Sequence, residues 1–179
     1  MTWFSHKIFT GSIIYAVTGS SMATLFAVVG SVIPDAMEGM PTARNYRRWR
    51  KNHRQLTHWF VPYVILAALL LNFAHSHGVK HIDIRIVLKL LRFKLPGFEY
   101  AVIAYLAGYF AIGAFLHCLE DALCGTVPSL IPSRRVGIKL FTVRSLREFV
   151  FVGVVSAMLI FVRFNHGSFS AYDFFRFVS

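Results

Sequence analysis

Charge is in short supply in this chain, and acid more so than base. Charged residues make up 15% of the 179, with 8 Asp and Glu against 19 Lys and Arg. A soluble domain carries about 25% charge, so the residues that would coat a water-facing globule are missing and a soluble enzyme is disfavoured. Cysteine is nearly absent, and two residues cannot build a secreted disulfide scaffold. The low hydrophobicity that disorder requires is absent too, since 56% of the residues are apolar and the mean hydropathy is +0.56. Met1–Lys7 has no proper basic start and no small-residue cleavage site follows a short apolar core, so a cleavable signal is not expected. No internal repeat, low-complexity tract or clear linker divides the chain. What remains is an integral membrane protein with one domain over 1–179.

The net charge of +11 comes from basic residues that flank apolar stretches and form no separate basic domain. Anionic lipid headgroups are the simpler partner for such a distribution. Nucleic acid is the lesser reading, resting on the Arg44–Arg54 run, where Tyr46 and Trp49 could stack on bases.

Four stretches lack charge: Ile8–Pro34, Trp59–Ala74, Tyr100–Leu119 and Phe149–Val162. A crossing helix takes about 20 apolar residues, with a lower limit near 17. The second and third stretches are read as spans, and the fourth needs Arg147 and Arg163 to snorkel outward. The first is either one helix about 40 Å long or two short ones. Thr18-Gly19-Ser20-Ser21 reads as a break. Helices near 4–17 and 22–33 would then form a hairpin too short to cross, returning Asp35 to the side of His6. The hairpin puts 12 Lys and Arg on one side and 7 on the other, against 11 and 8 for a continuous span. The bias mildly favours the hairpin and makes the basic loops cytoplasmic. The expected architecture is an all-α membrane bundle with a short N-terminal hairpin and about three transmembrane helices. Between the spans, Ile82–Leu95 reads as a basic amphipathic helix in the interface, with Arg85, Lys89 and Arg92 on one face.

Ionisable residues at membrane edges are costly and point to function. Helical spacing puts His117 and Asp121 on one face, where they can grip a cation or form a hydrogen bond that caps the span. His53, Arg54, Thr57 and His58 bracket the entry to the second span, as ligands with an anion-binding guanidinium or as a solvated basic face. Asp35 follows Pro34, with Glu38 nearby, and His6 stands near the start. In the hairpin topology His6, Asp35, His53, His58, His117 and Asp121 gather on one side. That set suits one or two zinc ions, or manganese or iron. His75, His77 and His81 form a rival group on the other side and read as a polar loop. Cys118 and Cys124 read as free thiols.

The order of these residues resembles that of the YdjM-like family of inner-membrane proteins, described as metal-dependent hydrolases. The resemblance runs over about 1–148. It rests on His6 with Gly11, on Gly30 with Pro34-Asp35, on His53-Arg54-x-x-Thr57-His58, and on Gly108-Tyr109 followed by His117-x-x-x-Asp121. It ends in Pro128, Pro132, Arg134-Arg135, Val136-Gly137 and Leu140-Phe141. The ligand order is also similar to that of zinc phospholipase C and related nucleases. One departure is Met37, where the family carries a second acidic residue, with Glu38 one position later.

The resemblance implies a multi-pass protein of the bacterial inner membrane with its site on the cytoplasmic side. It implies hydrolysis of a phosphoester in a lipid or lipid-linked substrate by metal-activated water. His6, Asp35, His53, His58, His117 and Asp121 would hold the metal; Arg54 would bind the anion, Glu38 would orient water, and Thr57 belongs to the same motif. The competing reading is a non-catalytic membrane scaffold with a structural metal or a polar network.

Overall fold

The computed structural model describes residues 1–39, 42–44, 46, 47, 49, 53–82 and 98–166. The amphipathic helix expected at 82–95 therefore lies almost wholly outside the described residues. So do Arg48, Arg50 and Lys51 of the basic run.

Helix α1 covers Trp3–Thr18. The Thr2 hydroxyl caps it by accepting the Ser5 N–H at 3.2 Å. It stops at Gly19, whose φ of 63° is the left-handed conformation that glycine adopts freely. Ser20 then caps α2, Ser21–Gly30, through the Ala23 N–H. The break at Thr18-Gly19-Ser20-Ser21 is thus present, and α1 and α2 pack face to face where Gly11 lies against Val28 and Thr24.

The hairpin forms with helices close to those expected near 4–17 and 22–33. At 1.5 Å per residue, the 16 residues of α1 span about 24 Å. The tip at Ser20 donates to the Ile82 carbonyl at 3.0 Å, and Gly19 packs on the Arg163 guanidinium. A single helix could not bring Asp35 back; the turn at Gly19 does.

A turn at Ser31–Val32 leads into α3, Ile33–Glu38, with Pro34 in its first turn. A short 3₁₀ turn, Leu56–His58, delivers the chain to α4, Phe60–Ser76. Helix α5, Phe98–Cys124, is the longest described helix at 27 residues and packs on both α4 and α2. Beyond it, β1 (Val127–Pro128) pairs antiparallel with β2 (Arg135–Val136), Val127 opposite Val136. The last described helix is α6, Leu146–His166, which lies along α1.

Small residues set the spacing at the centre. A Cβ on Gly113 would fall 1.9 Å from the Ala27 carbonyl oxygen, and one on Gly30 would fall 2.0 Å from that of Phe110. The backbones of α2 and α5 therefore touch, the packing that small residues permit between helices in lipid. Ala23, Ala27, Ala101, Ala104 and Tyr105 fill this seam. Met1, Phe9, Phe141 and Val152 form a second apolar cluster that seats α1 on α6.

The outside is apolar: Phe4, Ile65, Leu69, Ile103, Val150 and Phe161 are all exposed. The inside of one end is polar, with His6, His58, His117, Glu120 and Asp121 buried. That inversion fits a lipid environment. Of the three expected spans, Phe98–Cys124 has the length and hydropathy to cross. Phe60–Ser76 is an apolar helix of 17 residues, at the lower limit. Leu146–His166 carries Arg147, Glu148 and Arg163. The other stretch long and apolar enough is Ser21–Glu38, which joins α2 and α3 across the Ser31–Val32 turn.

Candidate metal centre

Four segments converge at one end of the bundle. The first turns of α1 bring His6, α3 brings Asp35 and Glu38, the 3₁₀ turn brings Thr57 and His58, and the last turns of α5 bring His117 and Asp121. The i, i+4 spacing on α5 places His117 Nε2 3.9 Å from Asp121 Oδ2. The hairpin returns Asp35 to within 3.6 Å of His117 Nε2.

Asp35, His58, His117 and Asp121 present ligand atoms that all lie within 4.8 Å of one another. His58 Nε2 stands 3.1 Å from His117 Nε2, 3.4 Å from Asp35 Oδ1 and 3.4 Å from Asp121 Oδ2. Metal–ligand bonds of about 2.0–2.1 Å in tetrahedral geometry place ligand atoms about 3.3–3.4 Å apart. The five separations that involve His58 or His117, 3.1–3.9 Å, bracket that edge. Asp35 Oδ1 is buried with no hydrogen-bond partner. An orphaned carboxylate oxygen inside a protein is costly, and a cation at the centre of the four would satisfy it. The donor set, imidazole nitrogen and carboxylate oxygen, suits zinc, manganese or iron.

Each histidine is also oriented from behind. His117 Nδ1–H donates to the Ser31 carbonyl at 2.6 Å, which leaves its Nε2 lone pair facing the centre. His58 Nδ1 lies 3.0 Å from Glu38 Oε1, again turning Nε2 inward. This is the arrangement that fixes tautomer and ring direction in metal-ligating histidines. It also means that the close pair His58 Nε2 and His117 Nε2 cannot both be bare without a proton or cation between them. Burial acts to lower the His58 pKa, but its contacts with Asp121, Asp35 and Glu38 outweigh this and carry it up to about 10. Without a metal, a proton fills the gap.

His6 sits beside this group, outside its four members. Its ring stacks on His117 with centroids 3.9 Å apart. Nδ1–H donates to Glu120 Oε2 at 2.5 Å, and Nε2 is buried, unbonded and 3.4 Å from Asp121 Oδ1. His53 stands on Glu38, with Nδ1–H donating to Oε2 at 2.5 Å. With Glu38 and His58 it forms a second set of possible ligands. Thr57 donates to the same Glu38 carboxylate. Glu38 therefore gathers His53, Thr57, His58 and the Arg54 N–H, at 3.0 Å, into one brace.

Arg54 reaches Asp121, with Nη2 donating to Oδ1 at 2.9 Å and Nε 2.6 Å from Oδ2. The N-terminal ammonium also contacts Oδ1 of Asp121. Arg54 has a φ of 61°, a strained choice for a non-glycine residue. Of the rival histidines, His75 and His77 bond back to the Leu71 and Phe73 carbonyls and are exposed, as a polar helix end would be. Both cysteines are free.

Three partners in the site were not singled out from the sequence. Glu120 holds His6 and accepts the Thr10 hydroxyl at 2.8 Å. Thr10 follows His6 by four residues on α1, and Glu120 follows His117 by three on α5, so helical spacing signals both. Ser31 acts through its backbone carbonyl, which no side-chain pattern reveals.

The model of a family described as YdjM inner membrane protein matches residues 1–173. No curated protein and no solved structure matches the chain. The chain belongs to the YdjM inner membrane protein family.

Proposed function

We propose that this member of the YdjM family is a membrane-bound, metal-dependent hydrolase of a phosphoester in a lipid or lipid-linked substrate. The observation that carries the reading is the convergence of His58 Nε2, His117 Nε2, Asp35 and Asp121 on one point, with both histidines oriented from behind. A divalent cation there, zinc above all, would polarise a phosphoryl oxygen and bring water's pKa toward neutrality. The chain's own residues do the rest. Arg54, now paired to Asp121, would turn its guanidinium to the substrate anion once Asp121 is otherwise neutralised. His6 Nε2 and the Glu38 carboxylate stand close enough to hold or pass a proton at the centre. Asp35 is the least covered member, at 14% exposure, and its Oδ2 accepts the half-exposed Trp3 indole at 2.8 Å. A lipid would approach sideways along that face. The basic loops favour the cytoplasmic leaflet.

The experiment is hydrolysis of bis(p-nitrophenyl) phosphate and of short-chain phospholipids by the full chain in detergent, with zinc removed and restored. Turnover should need the metal, and Arg54→Gln should lower kcat while metal content stays at the wild-type level. Metal-loaded protein that cleaves none of these phosphoesters opposes the reading.

One observation favours a second reading, a non-catalytic scaffold with a structural metal. Four protein donors already complete a tetrahedron, whereas catalytic zinc sites keep one position open. Under that reading Asp35→Asn removes metal and lowers stability, and no activity is there to lose.

A further inference from the structure

Behind Arg54 lies a cavity of about 150 Å³ lined by Gln55, Leu56, Pro128, Pro132, Ser133 and Arg135. At about 30 Å³ per water, it has room for roughly five waters, or a small polar head group. It is formed where the β1–β2 hairpin folds back over the segment that carries Arg54. Arg135 donates through Nη2 to the Arg54 carbonyl at 2.9 Å and to the Thr126 carbonyl at 2.7 Å, and through Nε to the Thr126 hydroxyl at 3.1 Å. Of the five N–H donors of a guanidinium, the two on Nη1 have no partner among the described residues and remain for a ligand. The same hairpin shapes Arg54 itself. Gly125 packs on Arg54 Nη1, and a Cβ on Gly137 would fall 1.7 Å from the Gly125 carbonyl. Two guanidinium groups are thus fixed on either side of one strained residue, one at the candidate centre and one in the cavity.

Apolar side chains are exposed on the cavity's wall and in the loop between β1 and β2. Leu56, Leu130 and Ile131 are 72%, 73% and 52% exposed, and the Trp59 indole donates to the Leu130 carbonyl at 3.3 Å. Basic residues gather on the same hairpin and the segment after it: Arg134, Arg135, Lys139, Arg144 and Arg147. The acids near this segment are engaged: Asp121 and Glu38 hold Arg54, and the buried Glu148 holds the Thr2 and Arg144 N–H groups. A cavity whose described lining includes the Arg135 guanidinium and Leu56 and contains no acid fits an amphiphile with an anionic head.

We infer that this cavity is a binding site for the phosphate-bearing head group of a membrane lipid, whose acyl chains lie on Leu56, Leu130 and Ile131. The inference deepens the hydrolase proposal by naming a substrate subsite beside Arg54, but the cavity requires no metal to bind its ligand. A free phosphoester shares the head-group chemistry and lacks the chains.

Native mass spectrometry of the full chain in detergent tests this with three probes: dilauroyl phosphatidylglycerol, dilauroyl phosphatidylcholine and glycerol 3-phosphate. One phosphatidylglycerol per chain should be retained at least tenfold better than phosphatidylcholine. Ser133→Trp, which fills the cavity without touching the metal cluster, should abolish that preference while metal content stays at wild-type level. Leu130→Ser keeps the head-group site and should weaken the lipid alone. Equal retention of the two lipids, or a preference unchanged in Ser133→Trp, overturns the site. Glycerol 3-phosphate binding as tightly as phosphatidylglycerol overturns the lipid assignment. Loss of metal from the wild type with the lipid preference intact would sink the hydrolase reading and leave this one standing.

Discussion

Replacing Gly113 with alanine should damage the metal centre from a helical turn away. The added Cβ would sit 1.9 Å from the Ala27 carbonyl oxygen, an atom of the α2 backbone that no rotamer change can move. Ordinary contact is about 3.4 Å, so α2 and α5 must part locally by about 1.5 Å. Overpacking of this kind costs about 1–3 kcal/mol. The second consequence is specific to this protein. Helix α2 ends next to Ser31, whose carbonyl holds His117 Nδ1 at 2.6 Å, and α2 leads into α3 and Asp35. A shift of 1.5 Å breaks that hydrogen bond and displaces Asp35 from the other three donors. Loss of an orienting partner typically weakens metal binding by about 10–100-fold. Zinc affinity, measured by competition with a chromophoric chelator, should therefore fall by that factor, with a lower Tm in detergent. Gly153→Ala is the control, because a Cβ there meets nothing within 4 Å. Wild-type zinc affinity and Tm in Gly113→Ala would refute the coupling of the α2–α5 seam to the site.

Zinc binding should release protons, because the His58 pKa stands near 10 without metal and a ligand imidazole must be neutral. Calorimetry at pH 7 in two buffers of different ionisation enthalpy should show about one proton leaving, and affinity should rise with pH. In the metal-free protein the same raised pKa stabilises the fold fully below about 6.5 and loses its contribution as pH climbs through 10. Thermal unfolding of the metal-free chain across pH 6–11 should show that decline. Glu120→Ala should leave the buried His6 Nδ1 and Thr10 hydroxyl without an acceptor, a cost of about 1–3 kcal/mol for each stranded group. Denaturant unfolding should record the loss, and Glu120→Gln, which keeps an acceptor oxygen, should recover part of it.

The parts of this molecule that depend on side-chain spacing were legible in the sequence. Thr18-Gly19-Ser20-Ser21 announced the hairpin, because a glycine among small hydroxyl residues both frees the backbone and caps the next helix. His117 and Asp121 were legible because four residues make one helical turn. From the hairpin it followed that Asp35 would return to His6, and the two now stand in one polar cluster.

What was hidden depends on tertiary approach. The seat of the hairpin's tip was hidden because Gly19 and Ser20 meet Arg163 and Ile82, far away in sequence. The Ser31 carbonyl was hidden because every residue has one. The burial of Glu120 was hidden because an acid beside Asp121 looks equally suited to solvent. Which histidines face the centre and which brace it could not be read either. His53 and His58 lie five residues apart and both rest on Glu38, yet only His58 also points at His117.

The proposed function stands on a divalent cation held by Asp35, His58, His117 and Asp121. Metal content of the purified full chain, by inductively coupled plasma mass spectrometry, tests it most directly, with His117→Ala and Asp121→Asn measured alongside. The wild type should carry a stoichiometric divalent metal and both variants should lose it, each still folded by circular dichroism. Wild-type protein that holds no metal after exposure to zinc, manganese and iron, or variants that retain it fully, would contradict the account.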